Sequence, residues 1–476
     1  MAFEKRQLPK KSENLSDWYN AVVQLAELAD YGPAKGTMIF RPYGFGIWEQ
    51  VQKYMDAEFK KHGVENAYFP LFIPESLFNK EKEHVKGFAP ELAIVTIGGG
   101  EELKEKLAVR PTSEMIMYES YAKWIQSWRD LPMVINQWNN IVRWEKRTYL
   151  FLRTSEFLWQ EGHGAHATHE ESLKWVNWAM GVYQKTYREV FAMSGIVGRK
   201  SESEKFAGGD MTLTFETLMP EGKALQSCTS HDLGQNFSKV LDIKFQDKEG
   251  KSQFVWQNSW GFSTRSIGGL IMAHGLDHGL CLPPYIAPIQ VVIIPATLDE
   301  RVVSECQKLA ASLKDVRVKV DMRDGESFGV KINRWELKGV PVRVMIGKKE
   351  IGEGIVTVSM VNQAPGTKNI FKTEGFVGGI QNLFKLIHED MLAEQDSFLQ
   401  ENTFYSNSYA GFKETMKTTR GFIYAFWCED AVCETKIKEE TKSSIRCLPQ
   451  GAKAENGKCI YCGKDAKYQW LFAQAY

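Results

Sequence analysis

The sequence predicts an α+β protein of several domains, and three observations carry that expectation. At 476 residues it exceeds what one compact core accommodates. A central stretch rich in Trp, Phe and Gly carries strand-like runs between helical ones, the pattern of an antiparallel sheet with interleaved helices. Beyond Pro283-Pro284 the texture changes to alternating strands and helices, the pattern of an α/β unit. The boundaries expected on this reading are 1–285, 286–397 and 398–476, the last unit being small and cysteine-bearing.

Residues 15–31 read as a helix, because Leu15, Trp18, Val22, Leu25 and Leu28 recur every three or four positions. The Gly- and Pro-rich stretch from Gly32 to Gly46 breaks that period. Residues 47–62 give a second amphipathic helix, with Ile47, Val51, Tyr54 and Phe59 on one face and Gly63 as its stop. Ala67 to Ile73, before Pro74, reads as a short strand. Past Pro288 the expected order is strand Gln290–Pro295, helix Glu300–Leu313, strand Val316–Val320 and helix Gly329–Lys338. Strands Val342–Ile346 and Ile355–Met360 and a long helix Phe376–Glu394 follow, on a largely parallel sheet.

Hydrophobic residues are 43% and charged ones 25%, as in ordinary water-soluble domains. Formal net charge is zero, so any nucleic-acid surface has to be a local patch. The first seven residues have no apolar core of a secretory signal, and no run approaches ~18 apolar residues. A cytoplasmic protein without membrane contact is expected. In that compartment paired cysteines suggest metal before disulfides. Cys428-x4-Cys433 and Cys459-x2-Cys462 can supply four thiolates to one tetrahedral, structural Zn²⁺; the alternative is two unrelated buried pairs. Cys447, between them, reads as a plain buried residue.

Five stretches resemble the motifs of prolyl-tRNA synthetases of the archaeal and eukaryotic cytoplasmic type. They are Arg110-Pro-Thr-Ser-Glu114; Val142-Arg-Trp-Glu145 running on to Phe151–His163; Lys205-Phe-Ala-Gly-Gly-Asp210; Cys228-Thr-Ser-His231; and Asn258-Ser-Trp-Gly-Phe-Ser-Thr-Arg265. Each is weak alone; all five in order, ahead of the cysteine pairs, are specific. The tail Phe472–Tyr476 is also similar to the family's tyrosine-ended terminus. The resemblance implies a class II synthetase with an antiparallel-sheet catalytic domain, an α/β anticodon-binding domain and a small C-terminal zinc-binding α/β domain. It implies a ligase that activates L-proline with ATP and transfers it to tRNA(Pro).

Activation brings a carboxylate against the α-phosphate of ATP. Both are anionic, so positioning and positive charge dominate, and arginine forks suit both oxyanions. By resemblance Arg143 bridges carboxylate and phosphate, and Arg265 binds the ATP tail; these are the expected catalytic residues. Glu145, Arg153, Thr154, Gln226 and Ser263 match positions that touch the nucleotide or its Mg²⁺; the family commonly has Thr at Ser263, and the hydroxyl persists. Thr112 and Glu114 match contacts to the proline nitrogen, and Trp159, Glu161, His163, Phe206 and His231 match the pocket wall. Trp159 is equally readable as core. The run His163-Gly-Ala-His166-Ala-Thr-His169 invites a metal reading, but glycines interrupt any helix there and no H-E-x-x-H pattern follows.

Only about 95 residues separate the second and fifth motifs, too few for the editing domain that bacterial-type relatives carry there. One methylene discriminates by only about 1–3 kcal/mol, so some alanyl or cysteinyl product is expected. Lys331, Arg334, Lys338, Arg343, Lys348 and Lys349, opposed only by Glu336, suggest a phosphate-binding patch, with Trp335 either stacking on a base or packing in the core. Gly63–Pro74 is similar to the family's first motif, which builds a C2 homodimer. Two rivals are a threonine or serine synthetase, which would change the pocket but keep the arginines, and a non-catalytic paralogue, which would lose Arg143 or Arg265. No Cys/His set in the catalytic block matches the zinc site expected for threonine, and both arginines are present.

Overall fold

The computed structural model describes residues 8–80, 87, 91–145 and 147–476, so the N-terminal stretch 1–7 read above lies outside the described residues. The labelled helices are α1 (Leu15–Leu25), α2 (Pro42–Lys61), α3 (Glu114–Trp124), α4 (His169–Glu189), α5 (Arg265–His274), α6 (Glu300–Ser312), α7 (Phe328–Leu337), α8 (Lys348–Glu353), α9 (Thr373–Glu401), α10 (Tyr409–Lys417) and α11 (Ala431–Thr441). The central sheet begins with β1 (Glu65–Asn66), β2 (Met133–Val142), β3 (Glu156–His166), β4 (Ile196–Arg199), β5 (Met211–Leu218), β6 (Lys223–Gly234) and β7 (Trp256–Ser263). A second sheet holds β8 (Val291–Pro295), β9 (Val318–Val320), β10 (Val342–Ile346), β11 (Ile355–Met360) and β12 (Asn369–Lys372). The C-terminal strands are β13 (Thr403–Tyr405), β14 (Phe422–Trp427), β15 (Ser443–Pro449) and β16 (Tyr468–Ala475).

The central sheet has eleven strands in the order β13-β14-β16-β15-β4-β5-β6-β7-β3-β2-β1. The C-terminal segment therefore continues the central sheet: Leu448 and Pro449 pair with Arg199 and Gly198, and Lys223 and Ala224 pair with Gln474 and Ala475. Helix α4 covers one face. Val176, Ala179, Met180, Tyr183 and Tyr187 form its buried stripe, and Tyr183 and Tyr187 both lie 5.6 Å from Phe262 of β7. Each such side chain contributes about 1.5–3 kcal/mol on burial, so packing holds this helix more than propensity does.

Several elements differ from expectation. Helix α1 stops at Leu25 because Glu27 takes a left-handed φ of 61°, after which Ala29–Tyr31 pairs with Met38–Phe40. Helix α2 starts at Pro42, inside the expected break. Gly44 belongs there because a Cβ would lie 2.1 Å from the Leu28 carbonyl oxygen, where the two segments cross. Strand character around 67–73 is confined to Glu65–Asn66 and Phe72–Pro74. The second sheet is mixed rather than largely parallel: β8 pairs parallel with β9 and β10, but β10–β11 and β11–β12 are antiparallel. The short helix α8 turns the chain back between β10 and β11, which makes the antiparallel return possible.

The expected basic patch is mostly interior. Lys331, Lys338 and Arg343 are buried, and Arg334 pairs with Glu326 at 2.5 Å. Lys338 pairs with Glu27 of the catalytic block, while the Tyr43 hydroxyl donates to its carbonyl at 3.0 Å. Trp335 is buried and donates through Nε1 to Asp321 at 2.7 Å, so it is core. Lys348 pairs weakly with Asp299, and with Lys349 it stays at the surface. Lys331 and Arg334 on α7, Lys338 just past its C-terminal end and Arg343 on strand β10 each find an acidic or carbonyl partner. No described helix is long and apolar enough to cross a membrane.

Candidate functional site: a two-chambered cleft on the central sheet

Strand β3 lies between β2 and β7, and its alternation aims Trp159, Glu161 and His163 at one cleft. Gly162 faces the other way, and a Cβ there would lie 2.1 Å from the Trp260 ring, so only glycine lets the indole pack against the strand. A cavity of about 190 Å³ holds Thr112, Glu114, Arg143, Trp159, Glu161, His163, Phe206, Gln226, His231, Ser263 and Arg265 in its wall. A second chamber of about 180 Å³ is lined by Glu145, Arg153 and Thr154 together with Arg143, Ser263 and Arg265. The structure thus brings all fourteen sequence-derived residues around two joined chambers, with Arg143 and Arg265 bordering both.

Glu161 anchors the inner chamber. Its carboxylate accepts from Asn139 Nδ2 at 2.7 Å, from Gln137 Nε2 at 3.1 Å, from the Ser113 amide at 3.2 Å and from the Ser113 hydroxyl, with His163 Nε2 at 3.1 Å. Gln137 and Asn139 stand directly opposite Glu161 and Trp159 in the β2–β3 register. Burial works to raise the Glu161 pKa, but His163, Ser113 and Asn139 outweigh it and bring it to about 2. The same bonds hold Ser113 at the start of α3, whose first residue, Glu114, is buried and accepts from the Thr112 hydroxyl at 2.5 Å. His163 is held from its other nitrogen by Tyr118 at 3.1 Å.

The opposite wall is aromatic and neutral. Phe206 packs on His231 with ring centroids 4.5 Å apart, and His231 is pinned by Thr212 at 2.9 Å and Thr229 at 3.0 Å. Burial, with His163 and Arg143 nearby, brings the His231 imidazole down to about 3, so it is neutral at physiological pH. Trp159 Nε1 and Ser259 Oγ, on residues that line this cavity, are buried without a hydrogen-bond partner.

Positive charge collects where the chambers meet. Arg143 Nε donates to the Pro111 carbonyl at 3.1 Å, and its guanidinium lies over the Trp159 and Phe157 rings at 5.4 and 5.8 Å. Arg265 opens α5 and donates through Nε to the Leu152 carbonyl at 3.0 Å. Burial, then Arg143 and Arg153, brings its pKa down to about 10. Arginines packed closely enough to depress one another make a site for an anion. Glu145 lies 3.6 Å from Arg153 and partly offsets the charge. Lys200 also lines the inner chamber but is matched by Glu216 at 2.9 Å.

Sequence reasoning missed Glu91, Phe157, Lys200, Glu204 and Ser259 in these walls. Phe157 and Ser259 stood inside the motifs and could have been read from strand alternation; the others carry no spacing signal. The histidine run does not form a metal set: His163 and His166 sit three apart on a strand and so point to opposite faces. Among the described residues the potential metal cluster is Cys428, Cys433, Cys459 and Cys462, whose Sγ atoms lie within 4.8 Å of one another. Cys447 is buried apart from them, as expected.

Comparison with known proteins agrees with this geometry. Residues 95–274 match the tRNA synthetase class II core domain (G, H, P, S and T), residues 290–383 an anticodon binding domain, and residues 409–476 the C-terminal domain of prolyl-tRNA synthetase. A protein named proline–tRNA ligase 2 from Clostridioides difficile is 49% identical over 473 residues, 99% of this chain and 98% of its own length. The chain belongs to the prolyl-tRNA synthetase family. Proline–tRNA ligases of Natranaerobius thermophilus (47% identity over 477 residues; 99% and 98% of the two chains) and Chlorobium luteolum (49% over 477 residues; 98% of each) are similarly close.

The buried charges predict that the folded chain loses stability in acid. Glu161 has a folded pKa near 2 against an ordinary 4.5, so the native state binds fewer protons than the unfolded chain between those values. The stability it contributes is present above about pH 4.5 and is lost as pH falls toward 2. His231 acts in the same sense from 6.5 down to about 3. Urea midpoints should therefore fall steadily on acidification from pH 6.5, and Glu161→Gln should flatten the part of the curve below pH 4.5.

Proposed function

We propose that this chain ligates L-proline to tRNA(Pro) in two steps, and that Arg143, shared by both chambers, carries the first. In this reading the proline ring sits in the inner chamber against Trp159, Phe206 and His231. Its charged secondary amine meets Glu114 and Thr112, which form a buried carboxylate–hydroxyl pair. Glu161 and His163 complete the wall and hold the Thr112–Glu114 segment in place through Ser113. ATP occupies the outer chamber beside Glu145, Arg153, Thr154, Gln226, Ser263 and Arg265.

A carboxylate oxygen of proline attacks the α-phosphorus, the bond to the bridging oxygen breaks, and pyrophosphate leaves. Arg143 faces the equatorial charge and Arg265 the departing phosphates, so both stabilise charge without moving a proton. The tRNA 3′-terminal ribose hydroxyl then attacks the adenylate carbonyl and AMP leaves. Glu91, Glu145 and Ser263 line the outer chamber with oxygens of the kind Mg²⁺ takes, and that ion would offset phosphate charge.

The four clustered thiols support a structural Zn²⁺. Cys428 Sγ lies 3.7 Å from both Cys433 and Cys462, and the four sulfurs lie within 4.8 Å of one another, close enough to share one tetrahedral dication. We further read the chain as units 1–285 (catalytic), 286–397 (anticodon-binding) and 398–476 (zinc-binding), acting in the cytoplasm as a homodimer. Exposed Tyr68 and Phe72 in the 63–74 stretch, with exposed Trp124 packed on Phe69 of the same stretch, support an interface there. Between His163 and Asn258 the chain consists of α4, strands of the central sheet and short connecting pieces, which supports the absence of an editing domain.

Amino-acid-dependent ATP–pyrophosphate exchange tests the reading. Proline should dominate among twenty amino acids, alanine and cysteine should give weaker signals, and Arg143→Ala should lose at least about 100-fold. Dominance by another amino acid would refute the pocket assignment. The purified protein should not deacylate alanyl-tRNA. Elemental analysis should find one zinc per chain, lost in Cys428→Ser together with a fall in thermal midpoint; full retention of zinc would refute the site. Sedimentation should give a dimer that Phe72→Arg weakens, whereas a wild-type monomer at micromolar concentration would refute the interface.

A further inference from the structure

One part of the chamber wall is the turn 200–209. Lys200, Glu204 and Phe206 from it line the cavity. The Ser201 carbonyl accepts from the Glu204 and Lys205 amides at 3.2 and 3.0 Å, so 201–205 is one tight turn. Two of its amides bond Thr212 of the neighbouring strand β5: the Lys200 amide donates to the Thr212 carbonyl and the Phe206 amide to the Thr212 hydroxyl, both at 2.9 Å.

The outer side of the turn is held from the C-terminal segment. Glu434, in the first turn of α11 and only 7% exposed, accepts from the Ser201 hydroxyl at 2.9 Å on Oε1 and from the Ser203 hydroxyl on Oε2. The two hydroxyls lie 3.2 Å apart. Four residues on along α11, Lys438 pairs with Glu204 at 3.3 Å. Behind the turn, Arg446 of β15 donates to Glu216 at 2.7 and 3.0 Å, and Glu216 in turn holds Lys200. A buried carboxylate whose two oxygens serve two hydroxyls of one turn is a stiff tie, and losing it takes the carboxylate acceptor from the buried Ser201 hydroxyl.

We propose that Glu434 is a positioning residue for the amino-acid chamber. By fixing Ser201 and Ser203 it sets where Phe206 stands against His231, and so a side chain of the C-terminal segment governs affinity for the amino acid. The inference rests on the reading that this chamber takes proline.

Pyrophosphate exchange on the full-length chain tests it. Glu434→Ala should raise KM for proline on the order of tenfold, with kcat and KM for ATP changed by less than about twofold. Glu434→Gln, which keeps an acceptor oxygen and adds a donor the second hydroxyl can accept, should restore most of the affinity. Ser201→Ala/Ser203→Ala, which leaves α11 untouched, should raise KM for proline alike, and combining it with Glu434→Ala should add little. This pair reads the same quantity if Glu434→Ala fails to fold. Unchanged KM for proline in an active Ser201→Ala/Ser203→Ala enzyme, or equal rises in KM for proline and ATP, would overturn the proposal. A wild type inactive with proline would instead overturn the reading beneath it.

Discussion

The register of β3 between β2 and β7 is the constraint on which the rest of the site depends. A strand presents alternate side chains to one face, so a slip of one residue would send Trp159, Glu161 and His163 away from the cleft and turn Gln160 and Gly162 into it. Gly162 under Trp260 and Gln160 bonded to Tyr183 at 2.6 Å make the correct register the packed one. Glu161 then converts strand register into loop position, because its bonds to Ser113 fix the start of α3 and with it Glu114.

Electrostatics divide the cleft into two unlike halves. In the inner chamber Glu161 is matched by a ring of donors and Lys200 by Glu216. Where the chambers meet, Arg143 and Arg265 take carbonyl partners and lie beside Arg153, with Glu145 as a partial counterweight. Such a cluster suits a polyanion, and on the proposed reading it is what brings two mutually repelling anionic substrates together.

The C-terminal segment is part of the catalytic architecture. Its strands extend the central sheet, Arg446 completes the buried Lys200–Glu216 cluster, and Tyr476 donates to Glu221 at 3.1 Å beside a cavity that also contains Arg265 and Gln226. The α/β unit is tied to the catalytic block in a similar way, through Lys338, Glu27 and Tyr43. Residues that look like a basic RNA-facing cluster in one dimension are in part the ionic fastening between units.

The sequence by itself determined the family, the chemistry and the residues around the cleft, because motif residues such as Arg143, Glu161 and Arg265 are constrained by what they must touch and keep fixed local spacing. It also marked the four cysteines that the fold brings together, since two short-spaced pairs are one common way of supplying four thiolates to one point. Only the tertiary structure decided the mixed pairing of the second sheet, the burial of Lys331, Lys338, Arg343 and Trp335, and the union of the C-terminal strands with the catalytic sheet. Each of these depends on contacts between residues far apart in the chain. Periodicity reports which face of an element is apolar, but what that face meets, and which charges find partners there, is fixed only when the elements pack.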